Sequence, residues 1–163
     1  MAIYREQALA LVDGGVDGFV IETMMDIQEA RAALLAVREA CDLPVMVSMT
    51  YEKSGRTLNG TDPVSALITL QALGADAVGC NCSTGPSDML RIIRLMREHA
   101  RIALLAKPNA GMPSLKDGKT FFDMGPDEFA SFADDFIEAG ANIMGGCCGT
   151  TPAHIAALAD ASR

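Results

Sequence analysis

A chain of 163 residues has the length of one ordinary domain, and with 50% of its residues apolar it can bury a substantial core, which excludes a disordered chain. Acidic residues outnumber basic ones 21 to 13, for a formal charge of −8, and no basic stripe is present, so nucleic acid and anionic membrane are excluded as partners. No apolar run approaches the ~20 residues that span a bilayer, and Met1 to Glu6 lack the basic-then-apolar order of a signal peptide, so the expected location is the cytoplasm.

The chain is punctuated by one repeated junction. Gly15-Val16-Asp17-Gly18-Phe19-Val20, Gly74-Ala75-Asp76-Ala77-Val78-Gly79 and Gly140-Ala141-Asn142-Ile143-Met144-Gly145 each combine a glycine, a small or β-branched residue, Asp or Asn, and an apolar run. Each follows a stretch of helical periodicity, so the glycine falls where a helix ends in a left-handed cap. The pattern predicts strands near 19–22, 45–50, 77–81, 102–106 and 143–145. Apolar residues at three- and four-residue spacing predict helices over 27–40, 63–73, 87–99 and 126–139.

The strands are short and apolar on both faces, as in parallel sheets covered by helices. Consecutive strand–helix units joined by right-handed crossovers leave two folds open, a doubly wound sheet or part of a (β/α)8 TIM barrel. A whole barrel takes about 250 residues, so a barrel built from this chain is partial. No linker and no second domain interrupt residues 1–163. The longest irregular stretch runs from about Lys107 to Gly125, after the fourth strand, where a barrel carries its active face.

The conspicuous polar residues fall at the C-terminal ends of the predicted strands, the edge at which parallel α/β folds build sites. They are Glu22 and Thr23, Thr50, Asn81 and Cys82, Lys107 and Asn109, and Cys147 and Cys148. Five cysteines without an export signal point to metal or thiol chemistry rather than disulfides. Three thiolates at one rim suit zinc and leave a fourth tetrahedral position for a substrate. Gly145-Gly146 and Gly149 flank the adjacent cysteines and give both side chains freedom to turn toward one ion.

Cys80 lies two residues before Cys82, so on an extended strand both side chains share a face, and a closed site of Cys80, Cys82, Cys147 and Cys148 is an alternative. A redox-sensitive cluster without metal is another. Cys41, at the opposite edge, is expected to be structural. Thr151 and Pro152 form a helix N-cap and first turn, with His154 inside that helix, and His99 complements a helix dipole.

Gly145-Gly146-Cys147-Cys148-Gly149-Thr150-Thr151-Pro152-Ala153-His154-Ile155 closely resembles the closing motif of the homocysteine S-methyltransferase family, and Gly79-Cys80-Asn81-Cys82 resembles its Gly-x-Asn-Cys segment. Val20-Ile21-Glu22-Thr23, Val45 to Thr50 and Gly55 to Leu58 are similar to further family segments. Lys107 to Pro113 resembles the methionine synthase branch. The resemblance implies that residues 1–163 are the C-terminal part of a homocysteine-binding domain, strands four to eight of the family's barrel. It assigns Zn2+ to Cys82, Cys147 and Cys148, and the homocysteine ammonium to Glu22, with Asn81 and Asn109 as further substrate contacts. The implied reaction is methyl transfer to the zinc-activated thiolate of homocysteine, giving methionine. Methylcobalamin on a separate module is the first candidate donor, with S-methylmethionine or betaine behind it.

The resemblance also implies that the family's first three strand–helix units lie outside this sequence, so that a missing N-terminal barrel half or another chain would complete the site. Two alternatives stand beside it, a non-catalytic zinc-binding half-barrel that needs a partner chain and a methyltransferase acting on another thiol.

Overall fold

The computed structural model describes residues 1–116 and 118–163. In chain order the elements are α1 (Ala2–Asp13), β1 (Phe19–Met24), α2 (Ile27–Ala40), β2 (Val45–Met49), α3 (Pro63–Ala72), β3 (Ala77–Asn81), α4 (Pro86–Arg97) and β4 (Ala103–Lys107). There follow β5 (Ser114–Lys116), β6 (Lys119–Phe121), α5 (Pro126–Ala130), α6 (Ala133–Ala139), β7 (Ile143–Met144) and α7 (Pro152–Ala161). No helix among the described residues is long and apolar enough to cross a membrane.

The expected parallel sheet is present, in the order β1-β2-β3-β4-β7, with every pairing parallel. The glycines of the three junctions all take the predicted left-handed conformation, with φ of 82° at Gly15, 92° at Gly74 and 104° at Gly140. The Asp or Asn of the junction has a further role. Asp76 Oδ2 accepts the N–H of Val45 at 2.7 Å, and Asn142 Oδ1 accepts that of Leu104 at 2.9 Å, so each closes the start of the neighbouring strand. Asp17, in the corresponding place before β1, makes no such bond among the described residues, because β1 is an edge.

Side chains alternate between the two faces of the sheet. Val45, Val47, Met49, Val78, Cys80, Leu104 and Ala106 join the main core with buried residues of α2, α3 and α4, such as Leu34, Leu67 and Ile93. The opposite row runs Ser48, Gly79, Leu105 and Ile143 in register. The sheet curls around this second face: Lys107 on β4 forms an ion pair with Glu22 on β1, although two strands lie between them. Three strand spacings of about 4.8 Å would hold those side chains far apart on a flat sheet.

Two expectations need correction. The stretch 107–125 is not wholly irregular, since it contains the antiparallel hairpin β5–β6. The helix expected over 126–139 is two short helices, α5 and α6. At the break the Ser131 hydroxyl donates to the Glu128 carbonyl at 2.7 Å, a local bond that competes with helix continuation. The N-cap expectation holds at α7, where Thr151 and His154 form a reciprocal capping box and Pro152 takes the first turn. His154 Nε2 also lies 3.0 Å from the Met124 carbonyl, so the ring ties α7 to the segment before α5.

Candidate metal centre

Three sulfurs converge at the C-terminal rim of the sheet. The Sγ atoms of Cys82, Cys147 and Cys148 all lie within 4.8 Å of one another, with 3.6 Å between Cys82 and Cys148 and 4.0 Å between Cys147 and Cys148. Sulfurs each about 2.3 Å from one tetrahedral ion sit about 3.8 Å apart, so the donor set fits a thiophilic metal before any rearrangement. Cys80 is absent from the cluster. Its expected alignment with Cys82 fails because β3 ends at Asn81, and Cys82 turns into the left-handed region at φ 63°. Cys80 therefore stays on the helix-facing side of the sheet, 1% exposed, and burial pushes its thiol pKa far up.

Gathering three thiols in one place disfavours their joint ionisation without a cation. The Cys148 thiol is pushed up to about 11, first by desolvation of its sulfur, then by the hydrogen bond with Cys82 and the charge of Cys147. A divalent ion reverses that balance, because a coordinating thiol is deprotonated outright.

The loop after β4 stitches the two cysteine segments together. Cys82 N–H donates to the Lys107 carbonyl at 3.2 Å, and Cys147 N–H donates to the Pro108 carbonyl at 2.9 Å. Asn109 Oδ1 accepts the N–H of Cys148 at 3.1 Å, while Ala110 N–H returns a bond to the Cys148 carbonyl at 2.9 Å. Asn109 N–H also donates to the Thr84 carbonyl at 3.2 Å. Four consecutive residues thus fix both thiol-bearing turns. Lys107 and Asn109 were singled out for their side chains, and Asn109 alone as a substrate contact; the backbone role of Lys107, Pro108 and Ala110 carries no signature in residue type.

Asn81, expected to meet a substrate, is fully buried beneath Cys147. Its Oδ1 accepts from Thr23 N–H at 2.9 Å and Ser48 Oγ at 2.8 Å, and its Nδ2 donates to Thr23 Oγ1 at 2.8 Å and lies 3.6 Å from Cys147 Sγ. Glu22 stands on the concave face in its ion pair with Lys107, its side chain 44% exposed.

Backbone strain gathers at the same rim. Thr23, Cys82 and Ser83 are the positive-φ residues other than glycine among those described, at 62°, 63° and 61°. Such conformations cost about 1–3 kcal/mol each and persist where the surroundings over-determine them. Sequence reasoning missed this feature, since threonine is β-branched and an unexpected choice for that conformation.

A five-stranded parallel sheet curled about a rim of three thiols defines the class as a partial α/β barrel with three cysteines placed so that they could hold a metal ion. The family model described as homocysteine S-methyltransferase matches residues 1–162, and the chain belongs to that family. It is 41% identical over 164 residues to the methionine synthase of Mycobacterium leprae, a match that covers 97% of this chain and 14% of that protein. The chain therefore spans about one seventh of the length of that relative. The apo crystal structure of the homocysteine methyltransferase MmuM from Escherichia coli superposes with a TM-score of 0.81 at 26% identity, covering 99% of this chain and 55% of that one. A metallated form of the same enzyme superposes at 0.73 and 23% identity, over 94% of this chain and 51% of that one, a likeness of fold.

Proposed function

We propose that this chain contributes the zinc-thiolate half of a site that methylates the sulfur of homocysteine to give methionine. The observation that supports this reading most directly is the convergence of Cys82, Cys147 and Cys148 within 4.8 Å at the rim. Zinc, when bound by these residues, supplies a Lewis acid that holds an incoming thiol as thiolate at neutral pH, with a fourth position open to it.

The chain's own residues do the rest. The loop from Lys107 to Ala110 holds the two cysteine segments in register by the bonds described above. Glu22 takes the substrate ammonium, exchanging its ion pair with Lys107 for one with the ligand. Asn109, 3% exposed and beside Cys148, is the further candidate contact. In the transfer the homocysteine sulfur forms a bond to the methyl carbon as the bond from that carbon to the donor breaks, and the donor leaves with the electron pair. Methylcobalamin on a separate module is the donor favoured by the likeness to a methionine synthase, with S-methylmethionine and betaine as the other candidates.

Two measurements test this. Metal analysis of the purified chain should find about one zinc, lost in Cys147→Ser and retained in Cys80→Ser. In a complete zinc-loaded barrel carrying this chain, each donor is supplied with homocysteine and methionine is followed; no product from any of the three ends the proposal.

A second reading, a zinc-binding half-barrel that acts only when joined to another polypeptide segment, is favoured by one feature. The concave face is open beside β1, where Val20 is 47% exposed. Zinc binding without methionine formation by the chain alone, and with formation once the remaining barrel is supplied, distinguishes this reading from independent catalysis.

A further inference from the structure

The three thiols are not equivalent. A carboxamide has two N–H donors and two acceptor sites on its oxygen, and at Asn81 all four are engaged within the protein. The orientation of the amide is set by a partner that cannot reverse: the backbone N–H of Thr23 only donates, so the atom 2.9 Å from it must be Oδ1. Nδ2 is then forced to the other side, toward Thr23 Oγ1 and Cys147 Sγ. The strained conformation of Thr23, at φ 62°, is what presents its N–H and its hydroxyl to the same amide. Among the described residues no side-chain amide bonds Cys82 Sγ or Cys148 Sγ; Cys82 Sγ contacts Cys148 Sγ, which in turn contacts Cys147 Sγ.

We propose that Asn81 is a positioning residue that marks out Cys147 among the three ligands, and that it does not bind substrate. An N–H donated to a thiolate withdraws charge from the sulfur and fixes its direction, so Cys147 is the least nucleophilic and least displaceable thiol, while Cys82 and Cys148 remain the reactive ones. This rests on the metal centre proposed above.

The test is alkylation of the zinc-loaded full chain by iodoacetamide, with each cysteine followed by peptide mapping and zinc affinity measured by chelator competition. In the native chain Cys147 should react more slowly than Cys82, although the two are comparably half-buried. Asn81→Leu keeps the shape and removes the donor; it should lower zinc affinity about 10-fold or more and bring Cys147 up to at least the rate of Cys82. Thr23→Ala takes away a neighbour of the amide but leaves the Nδ2 donor in place, and should leave Cys147 the slowest of the three. Equal rates at Cys147 and Cys82 in the native chain overturn the inference even where Asn81→Leu fails to fold. So does a uniform acceleration of all three thiols in Asn81→Leu, or release of Cys147 by Thr23→Ala to the same degree. A native chain that binds no zinc fails the metal-centre proposal instead, and is recognised by metal analysis before any alkylation.

Discussion

Asn109 Oδ1 accepts the backbone N–H of Cys148 at 3.1 Å, the one side-chain bond among the three that join the loop after β4 to the turn carrying two of the three thiols. The amide it holds belongs to a residue flanked by Cys147 and the left-handed Gly149, a segment with little intrinsic rigidity. Asn109→Ala removes the acceptor without removing a sulfur. Zinc affinity should fall roughly 10- to 100-fold, the range for groups that orient metal ligands. Chelator competition reads this directly, and an affinity within about twofold of the native chain would show that the bond does not organise the centre.

Gly79 is demanded by sterics rather than by flexibility. A Cβ built there would lie 1.7 Å from the carbonyl oxygen of Leu105 and 2.8 Å from its Cα, the backbone of its register partner on β4. No rotamer change relieves a clash with backbone, so Gly79→Ala must push β3 and β4 apart two residues before Asn81. The expected cost is about 3 kcal/mol or more, the upper end for overpacked interiors. Urea unfolding of the variant should show a strongly lowered midpoint, and an unchanged midpoint would mean that the strands separate freely.

The alternation of strands and helices and the gathering of cysteines at one rim were legible in the residues because both rest on local chemistry, whereas the choice of a partial barrel over a doubly wound sheet came from the family resemblance. The glycine junctions force left-handed turns wherever they occur, and strand ends in a parallel sheet all reach one rim. What was not legible depends on contacts between distant segments. Cys80 and Cys82 would share a face on a continuous strand, but β3 ends at Asn81 and Cys82 takes the left-handed conformation at φ 63°, which its residue type does not signal. Asn81 was expected as a substrate contact from its place at a strand end and the family resemblance; only the approach of Thr23, 58 residues away, reveals that its amide is already engaged within the protein. The split of the helix over 126–139 into α5 and α6 likewise is not registered by periodicity.

Asp76 gives the fold a pH dependence. The Val45 N–H holds its carboxyl below the usual carboxylate range, outweighing the opposing effect of burial, and Arg38 adds smaller contributions in the same direction. A carboxyl depressed on folding contributes stability above its unfolded pKa, and that contribution is lost as pH falls through its folded value. Asn142 performs the same task at Leu104 with a neutral amide, so Asp76→Asn should keep the acceptor and lose only the charge. At pH 7 the variant should be less stable by under about 1 kcal/mol, as befits a half-exposed ion pair. The gap should close as the pH drops below the ordinary carboxylate value near 3.9. Asp76→Ala orphans the Val45 N–H and should cost about 1–2 kcal/mol at neutral pH. A gap between native and Asp76→Asn that widens toward acid would contradict the sign of this linkage.

The two edges of the sheet predict how the chain behaves alone. β1 and β7 each pair on one side, and the β1 edge is bordered by exposed apolar residues, Val20 at 47% and Leu11 at 42%. An unpaired parallel edge beside apolar surface is a template for another chain. Asp17 sharpens this, because its counterparts at Asp76 and Asn142 each accept an N–H near the start of a neighbouring strand, and the same acceptor before β1 faces an edge. Sedimentation velocity on the isolated chain should therefore show association that grows with concentration. Val20→Lys sets a charge on the open concave face and should shift the distribution toward monomer, since a buried unpaired lysine opposes any chain that covers it. A sharp monomer at all concentrations, unfolding in one cooperative step, would mean that the exposed edge is satisfied within this chain.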